Sequence, residues 1–150
     1  MVQKLRERTR GEGGFTLVEL LVVMLILGLL AAIAIPSFFN QRDKARDADA
    51  KAAARTAQTA IETYATDNNG SYANADKNDL IRIEGTLSEV ANTLAVTSDD
   101  STYTVAVTSD TGNVFKISRG ANGTTSLTCD DGSGGTGKAG CPEGGNWGGD

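Results

Sequence analysis

Hydrophobic side chains are distributed unevenly along this 150-residue chain. Residues 20–35 carry no charged or strongly polar side chain, and Pro36 ends the run. With the residues just before it, the apolar segment covers 15–35, which as a helix measures roughly 31 Å, enough to cross a bilayer core. Four basic side chains precede it and predict that the N-terminus stays in the cytoplasm while the chain after Pro36 is exported. They are Lys4, Arg6, Arg8 and Arg10.

Helical periodicity continues beyond Pro36 in amphipathic form. Residues 40–49 are dense in charge, and an apolar face then recurs at helical spacing through Ala50, Ala53, Ala57, Ile61 and Tyr64. The Asn-Asn-Gly sequence at 68–70 is a helix stop signal. We therefore predict one helix over 15–67, and we expect Gly28 and Pro36 to be its weak points.

The second half of the chain alternates between apolar and polar positions. This pattern predicts strands at 102–108, 114–119 and 124–128, separated by glycine-containing turns. Residues 68–101 are interpreted as a connector containing a short apolar segment at 79–83 and a helix start at Thr86. The predicted fold is α+β: a long N-terminal helix, transmembrane first and amphipathic second, whose alanine face packs on a three-stranded antiparallel sheet.

One carboxylate, Glu19, interrupts the apolar segment. An acidic residue costs about 2.5 kcal/mol or more at the centre of a membrane helix and less toward its ends. The alternative is an ordinary secretory signal with an A-x-A-like cleavage site at 32–34, or an uncleaved signal anchor. Neither gains anything from the charge, so Glu19 indicates a function.

Residues 13–19 read Gly-Gly-Phe-Thr-Leu-Val-Glu and lead into the apolar run. This segment resembles the N-terminus of type IV pilins and pseudopilins, over roughly residues 13–40. The resemblance implies cleavage between Gly14 and Phe15 by a prepilin peptidase and N-methylation of Phe15. Gly28 and Pro36 fall where many members have a helix-loosening glycine and proline. The implied parts are a leader at 1–14, a transmembrane and filament-core helix at 15–36 and a globular head at 37–150.

The resemblance also gives Glu19 a role in assembly. Cleavage would create an amine at Phe15, which is mostly protonated at neutral pH because its reference pKa lies near 8. Pairing of that amine with Glu19 of a neighbouring subunit would offset two charges in a low-dielectric surrounding and favour one stagger between subunits. N-methylation would keep the positive charge.

Cys129 and Cys141 are the two cysteines of the chain, and both lie in the predicted C-terminal loop 129–150. Export places them in an oxidising compartment. A disulfide would close a glycine-rich loop of about 12 residues and contribute roughly 3 kcal/mol. We predict this bridge, with two free thiols or a metal pair as alternatives. It also matches the C-terminal disulfide loop of many pilins. Trp147 is the expected packing anchor of the loop.

Composition argues against several functional classes. The chain has no histidine, the commonest general base and metal ligand. Its net charge is −5, and removal of residues 1–14 leaves 10 basic and 17 acidic side chains, or −7. This excess disfavours nucleic-acid binding. Asp130 and Asp131 are too few for a specific calcium site, and we read them as a solvated turn. We predict no enzyme activity, no cofactor and no metal.

The expected function is that of a type IV pilin subunit that polymerises through its N-terminal helix. Its expected partners are other copies of itself, the prepilin peptidase and the pilus assembly machinery of the inner membrane. The precursor would reside in that membrane and the product in a surface filament serving adhesion, motility or DNA uptake. The alternatives are a pseudopilin of a type II secretion or competence system and a membrane-anchored extracytoplasmic binding module.

Overall fold

A computed structural model describes residues 14–149, so most of the predicted leader lies outside the described part. The first element is the helix α1, Leu17–Asp67, which contains Pro36. The single helix predicted over 15–67 is therefore confirmed. The chain divides into two compact units at the junction between Phe39 and Asn40, and α1 contributes to both.

The second unit, Asn40–Asp150, makes up nearly all of the predicted head and combines the C-terminal part of α1 with two short helices and a sheet. The sheet is an antiparallel meander in which each strand pairs with the next along the chain. The elements that follow α1 are the helix α2 (Lys77–Ile83), a 3₁₀ helix (Gly85–Val90), β1 (Leu94–Ser98), β2 (Tyr103–Thr108), β3 (Val114–Arg119) and β4 (Thr125–Asp130).

The sheet has four strands, so the prediction of three strands was wrong. The missing strand, β1, lies within the segment interpreted as a connector and pairs with β2 from Leu94↔Val107 to Ser98↔Tyr103. β1 is an edge strand in which only Leu94 is fully buried, so its apolar and polar positions alternate weakly. The helix start expected at Thr86 is the 3₁₀ helix, and Glu84 rather than Thr86 caps it.

The core of the head lies between α1 and one face of the sheet. Ala54, Ala57 and Ile61 are fully buried on α1, together with Phe115 and Ile117 of β3. Alanine side chains let a sheet approach the helix backbone closely, because they project little. The predicted alanine face of α1 is present, but the buried face of the helix is rotated about the helix axis relative to the prediction. Ala53 and Tyr64 are half-buried, whereas Ala54, Ala60 and Ala65 are buried.

Candidate functional site

The first unit presents an apolar surface that nothing in the described chain covers. Every exposed large hydrophobic side chain of residues 14–149 lies between Phe15 and Phe39. This part of α1 is long and apolar enough to cross a membrane. A helix that is hydrophobic on all sides requires lipid or other protein chains around it.

Gly14 and Phe15, the residues of the predicted cleavage site, precede the helix and are exposed. A Cβ added to Gly14 would meet no atom within 4 Å, so the described fold places no steric demand for glycine there. Gly28 and Pro36 lie inside α1, and Pro36 has no N–H to donate to the carbonyl one turn earlier. Their roles in processing and in helix flexibility stay predictions.

Glu19 lies in the first turn of α1, where a carboxylate is favoured by the helix dipole. Its backbone N–H donates to Thr16 Oγ1 at 3.2 Å. Thr16 immediately precedes the helix, so this bond satisfies one of the free N–H groups at the helix start. The sequence analysis missed this contact, although Thr16-x-x-Glu19 is the spacing of a capping box. Glu19 therefore has a local role in helix initiation beside its predicted role in assembly.

A second carboxylate, Asp47, is fully buried where α1 enters the head. Asn113 Nδ2 and the Gly140 N–H each donate to Asp47 Oδ2 at 2.7 Å, and Thr111 Oγ1 donates to Oδ1. Asn113 Nδ2 also donates to the Lys138 carbonyl at 2.8 Å. Asp47 thus joins α1 to the turn between β2 and β3 and to the C-terminal loop.

Hydrogen bonding decides the ionisation of Asp47. Burial by itself raises the pKa of this carboxyl, because it disfavours the charged form. The bonds from Thr111, Ser109, Gly140 and Asn113 act in the opposite direction, and the pKa lies below the ordinary value of 3.8. The carboxylate is therefore charged at neutral pH and accepts bonds from several donors. The sequence contained a signal for it, since Asp47 stands one helical turn before Ala50 on the apolar face.

The predicted disulfide is present between Cys129 and Cys141, whose Cα atoms are 5.7 Å apart. It attaches the glycine-rich segment to β4. Trp147 packs edge to face on Phe115, with ring centroids 5.8 Å apart, and its Nε1 donates to the Thr128 carbonyl at 2.8 Å. Trp147 is thus the packing anchor that the sequence suggested.

Asp130 and Asp131 form the acidic turn expected at the end of β4. Lys116 Nζ lies 2.6 Å from Asp130 Oδ2, and this contact holds the pKa of Asp130 below its usual value. Asp131 Oδ1 accepts the N–H groups of Ser133 and Gly135. Within residues 14–149 no three potential metal ligands of the His, Cys, Asp or Glu type cluster together. Both carboxylates are engaged by the protein's own donors.

Glu62 forms a third polar cluster at the opposite end of the helix. It accepts the hydroxyls of Tyr72 at 2.7 Å and Tyr103 at 2.8 Å, and Arg119 lies 3.4 Å away. Burial and the bond to Glu62 raise the pKa of Tyr103 far above its ordinary range. The cluster ties α1 to β2 and β3, and the tyrosines stay neutral at physiological pH.

The N-terminal segment also matches known proteins. The model of the prokaryotic N-terminal methylation motif matches residues 9–35. In this segment the chain is similar to type IV pilins and to type II secretion core proteins. The matched segment includes Gly14, Phe15 and Glu19.

Three relatives illustrate the range of this similarity. The type II secretion system core protein G of Pseudomonas aeruginosa is 39% identical over 59 residues, which are 39% of this chain and 42% of that protein. The type IV major pilin protein PilA of Myxococcus xanthus is 38% identical over 63 residues, 42% of this chain and 27% of that protein. The competence protein ComGC of Halalkalibacterium halodurans is 32% identical over 65 residues, 43% of this chain and 64% of that protein.

The matches therefore span less than two thirds of these relatives. No solved structure matches the chain significantly.

Proposed function

We propose that this chain is the precursor of a filament subunit of the type IV pilin kind. A prepilin peptidase would remove residues 1–14, Phe15 would be N-methylated, and the segment 15–36 would hold the subunit in the inner membrane until it is polymerised. The head, 37–150, would form the outer surface of an extracellular filament. This role is structural, with no catalytic step.

The exposed apolar helix beginning at the methylation motif is the observation that carries the proposal. Removing apolar surface from water contributes about 25 cal/mol per Å², so a helix bare on all sides drives insertion into lipid or packing against other copies. Glu19 stands four residues after the proposed new N-terminus. A plain membrane anchor has no need of that charge, whereas a subunit whose Phe15 amine must be paired does.

A pseudopilin is the second candidate. Its support is the similarity to core protein G of type II secretion systems and to ComGC. Both candidates share processing and assembly, and they differ in what the filament does. Deletion of the gene should remove sheared surface filaments if the chain is a pilin, and should block protein secretion or DNA uptake without loss of surface filaments if it is a pseudopilin.

Charge pairing and helix capping by Glu19 can be separated by two matched variants. Glu19→Gln keeps a side chain suited to the third helical position but removes the charge. Thr16→Ala removes the capping hydroxyl, which accepts the Glu19 N–H at 3.2 Å, and keeps the charge. We expect intact-mass spectrometry to find cleavage after Gly14 in both variants. Filaments should be lost in Glu19→Gln and retained in Thr16→Ala.

Gly14→Ala provides the processing control. It should leave the full-length precursor in the membrane, because a methyl group would crowd the position next to the cut. Two results would contradict the proposal: a mature product beginning near Ile35, as for a conventional signal peptide, or filaments of normal yield and symmetry from Glu19→Gln and Glu19→Leu.

A further inference from the structure

A polar cavity lies between the first head residues of α1 and the C-terminal loop. Its volume is about 450 Å³, which is within the range of small-molecule sites. The lining residues are Asn40, Asp43 and Lys44 of the helix and Gly137, Lys138 and Ala139 of the loop. Two lysines and one carboxylate therefore line a single cavity, which has a net positive charge and both signs of charge.

The charged groups of the cavity remain able to bind a ligand. Asp43 is half-buried, whereas Lys44 and Lys138 are exposed. None of the three forms an ion pair at contact distance within residues 14–149. The pKa of Asp131 is lowered chiefly by the Gly135 N–H and only in part by the charge of Lys138. Lys138 is thus engaged at long range only, and its ammonium can approach a second anion.

The loop wall of the cavity is held in place by the buried network around Asp47. The Lys138 carbonyl accepts the Asn113 Nδ2 group at 2.8 Å and the Cys141 N–H at 2.9 Å. Ala139 follows with a φ of 51°, a left-handed conformation that residues other than glycine rarely adopt. Strain of this kind persists where the surrounding structure enforces it, and it is concentrated at ligand sites.

The helical wall of the cavity begins directly after the apolar segment. Phe39 is the last exposed large hydrophobic residue, and Asn40 follows it on the same helix. Asn40 and Lys44 are about 1.5 and 7.5 Å beyond Phe39 along the helix. The polar layer on each side of a bilayer core is about 5–7 Å thick, so insertion up to Phe39 would place these residues among lipid headgroups.

Basic residues on this side of the apolar segment have no role in orienting it. Residues 40–46 carry three basic side chains and one acidic side chain. The positive-inside rule places surplus lysine and arginine on the cytoplasmic side, whereas this segment is predicted to be exported. A partner at the outer face of the membrane accounts for their presence.

We propose that this cavity, called the headgroup cavity below, binds the phosphoethanolamine headgroup of a membrane phospholipid. That group joins a phosphodiester anion to a primary ammonium through two carbons. Lys44 and Lys138 would bind the phosphate, Asn40 would donate to it, and Asp43 would accept from the ammonium. A headgroup with an anion alone would leave Asp43 unmatched, and a quaternary ammonium has no N–H to donate. The inference rests on the proposed function, because the apolar segment must lie in a membrane.

Retention of lipid tests the headgroup cavity in the full-length protein. The protein is placed in bilayers of phosphatidylethanolamine, phosphatidylcholine and phosphatidylglycerol and extracted in a neutral detergent, and native mass spectrometry counts the lipids that stay bound. The unmodified chain should retain phosphatidylethanolamine in preference to the other two. Lys44→Gln and Lys138→Gln should each lower this retention about fivefold, the factor that a lysine contributes at a lipid surface. Lys77→Gln, which replaces an exposed lysine of α2, is the matched control and should change nothing.

Asp43→Asn separates recognition of the ammonium from binding of the phosphate. This variant should still retain lipid but should lose the preference for phosphatidylethanolamine over phosphatidylcholine. Fluorescence of the single tryptophan, Trp147, should be unchanged in all variants, since the substituted side chains make no contact with the core. Equal retention by every variant, or a preference of the unmodified chain for phosphatidylglycerol, would overturn the assignment.

Soluble competitors distinguish a lipid headgroup from a free anion. Glycerophosphoethanolamine should release the bound lipid at a lower concentration than inorganic phosphate does, because it also carries the ammonium. The reverse order would identify a site for free phosphate and would overturn the proposal.

Failure of this inference is distinguishable from failure of the proposed function. If the unmodified chain is never cut after Gly14 and never forms filaments, the proposed function fails. If the chain is cut and assembles but retains no phosphatidylethanolamine, only the headgroup cavity is wrong.

Discussion

Removal of the Asp47 carboxylate should destabilise the head more than any other single polar change. Asp47 is fully buried and holds donors from two distant segments, the turn at Thr111 and Asn113 and the loop at Gly140. Asp47→Ala removes their acceptor and leaves no replacement of similar shape. Asp49→Asn, two residues further along α1 and exposed, is the matched control.

The size of the effect follows from what each donor retains. Asn113 Nδ2 keeps its 2.8 Å bond to the Lys138 carbonyl, and the Thr111 hydroxyl keeps Ser109 Oγ at 3.2 Å. The Gly140 N–H has no second acceptor in the described residues. Stranding that N–H costs about 1–3 kcal/mol, and the two lost charged bonds add about 0.5 kcal/mol each after the desolvation of the carboxylate is recovered. We expect Asp47→Ala to lower the free energy of unfolding by about 2–4 kcal/mol.

The loss of stability in Asp47→Ala can be measured by thermal unfolding of the full-length protein in detergent, followed by Trp147 fluorescence. For a domain of this size the change corresponds to a fall in Tm of roughly 8–16 °C, whereas Asp49→Asn should stay within about 2 °C. Gly140→Ala should behave like Asp47→Ala, because its added Cβ would lie 2.5 Å from Asp47 Cβ. A fall of less than about 1 kcal/mol for both variants would refute the anchoring role.

The pH dependence provides an independent check. The folded pKa of Asp47 is depressed below 3.8, so its stabilisation is present above the unfolded pKa and is lost as pH falls through the folded value. The difference in stability between the unmodified protein and Asp47→Asn should therefore be constant from neutral pH to about 5 and shrink below about 4. A difference that persists unchanged to pH 2 would show that the charge of Asp47 has no part in the effect.

Two further changes test other parts of the head. Cys129→Ser should lower the free energy of unfolding by about 3 kcal/mol while leaving membrane insertion intact. Peptide mapping of the exported, unmodified protein without reduction should show Cys129 linked to Cys141. Two alkylatable thiols in that protein would contradict the prediction. Tyr103→Phe should lower the free energy of unfolding by about 1 kcal/mol, because the 2.8 Å hydrogen bond to Glu62 is lost while Glu62 keeps its bond from Tyr72. An unchanged Tm would show that the bond from Tyr103 makes no net contribution to stability.

Local patterns were sufficient to predict most of the fold. The helix and its stop at 68–70, the strands β2 and β3, and the disulfide all follow from periodicity, glycine placement and the presence of only two cysteines. β1 was not predicted because its apolar pattern is short and only Leu94 is deeply buried. Its strand conformation depends on pairing with β2. Strand pairing is a non-local property that propensity alone does not reveal.

The candidate site likewise has a part that local sequence reveals and a part that depends on non-local contacts. The methylation motif and Glu19 are contiguous, so the sequence displays them, and the cap from Thr16 was visible there too. The sequence shows Asp47 only as one of several charged residues in the charge-dense segment 40–49. Its donors come from 64, 66 and 93 residues away, and no window of sequence contains them together. Only its position on the apolar face of α1 distinguishes it from the exposed Asp49.

Asp47 and the disulfide act on adjacent residues of the C-terminal loop. Cys141 fastens the loop covalently to β4, and the Gly140 N–H fastens it to α1 through Asp47. A glycine-rich segment has a high conformational entropy to lose, so one attachment would leave much of it free to move. Two attachments in different directions fix its path, and the absence of a side chain at Gly140 is what allows the helix to approach. A loop held in this way presents a constant outer surface in every copy, which is what a repeating assembly requires of its subunits.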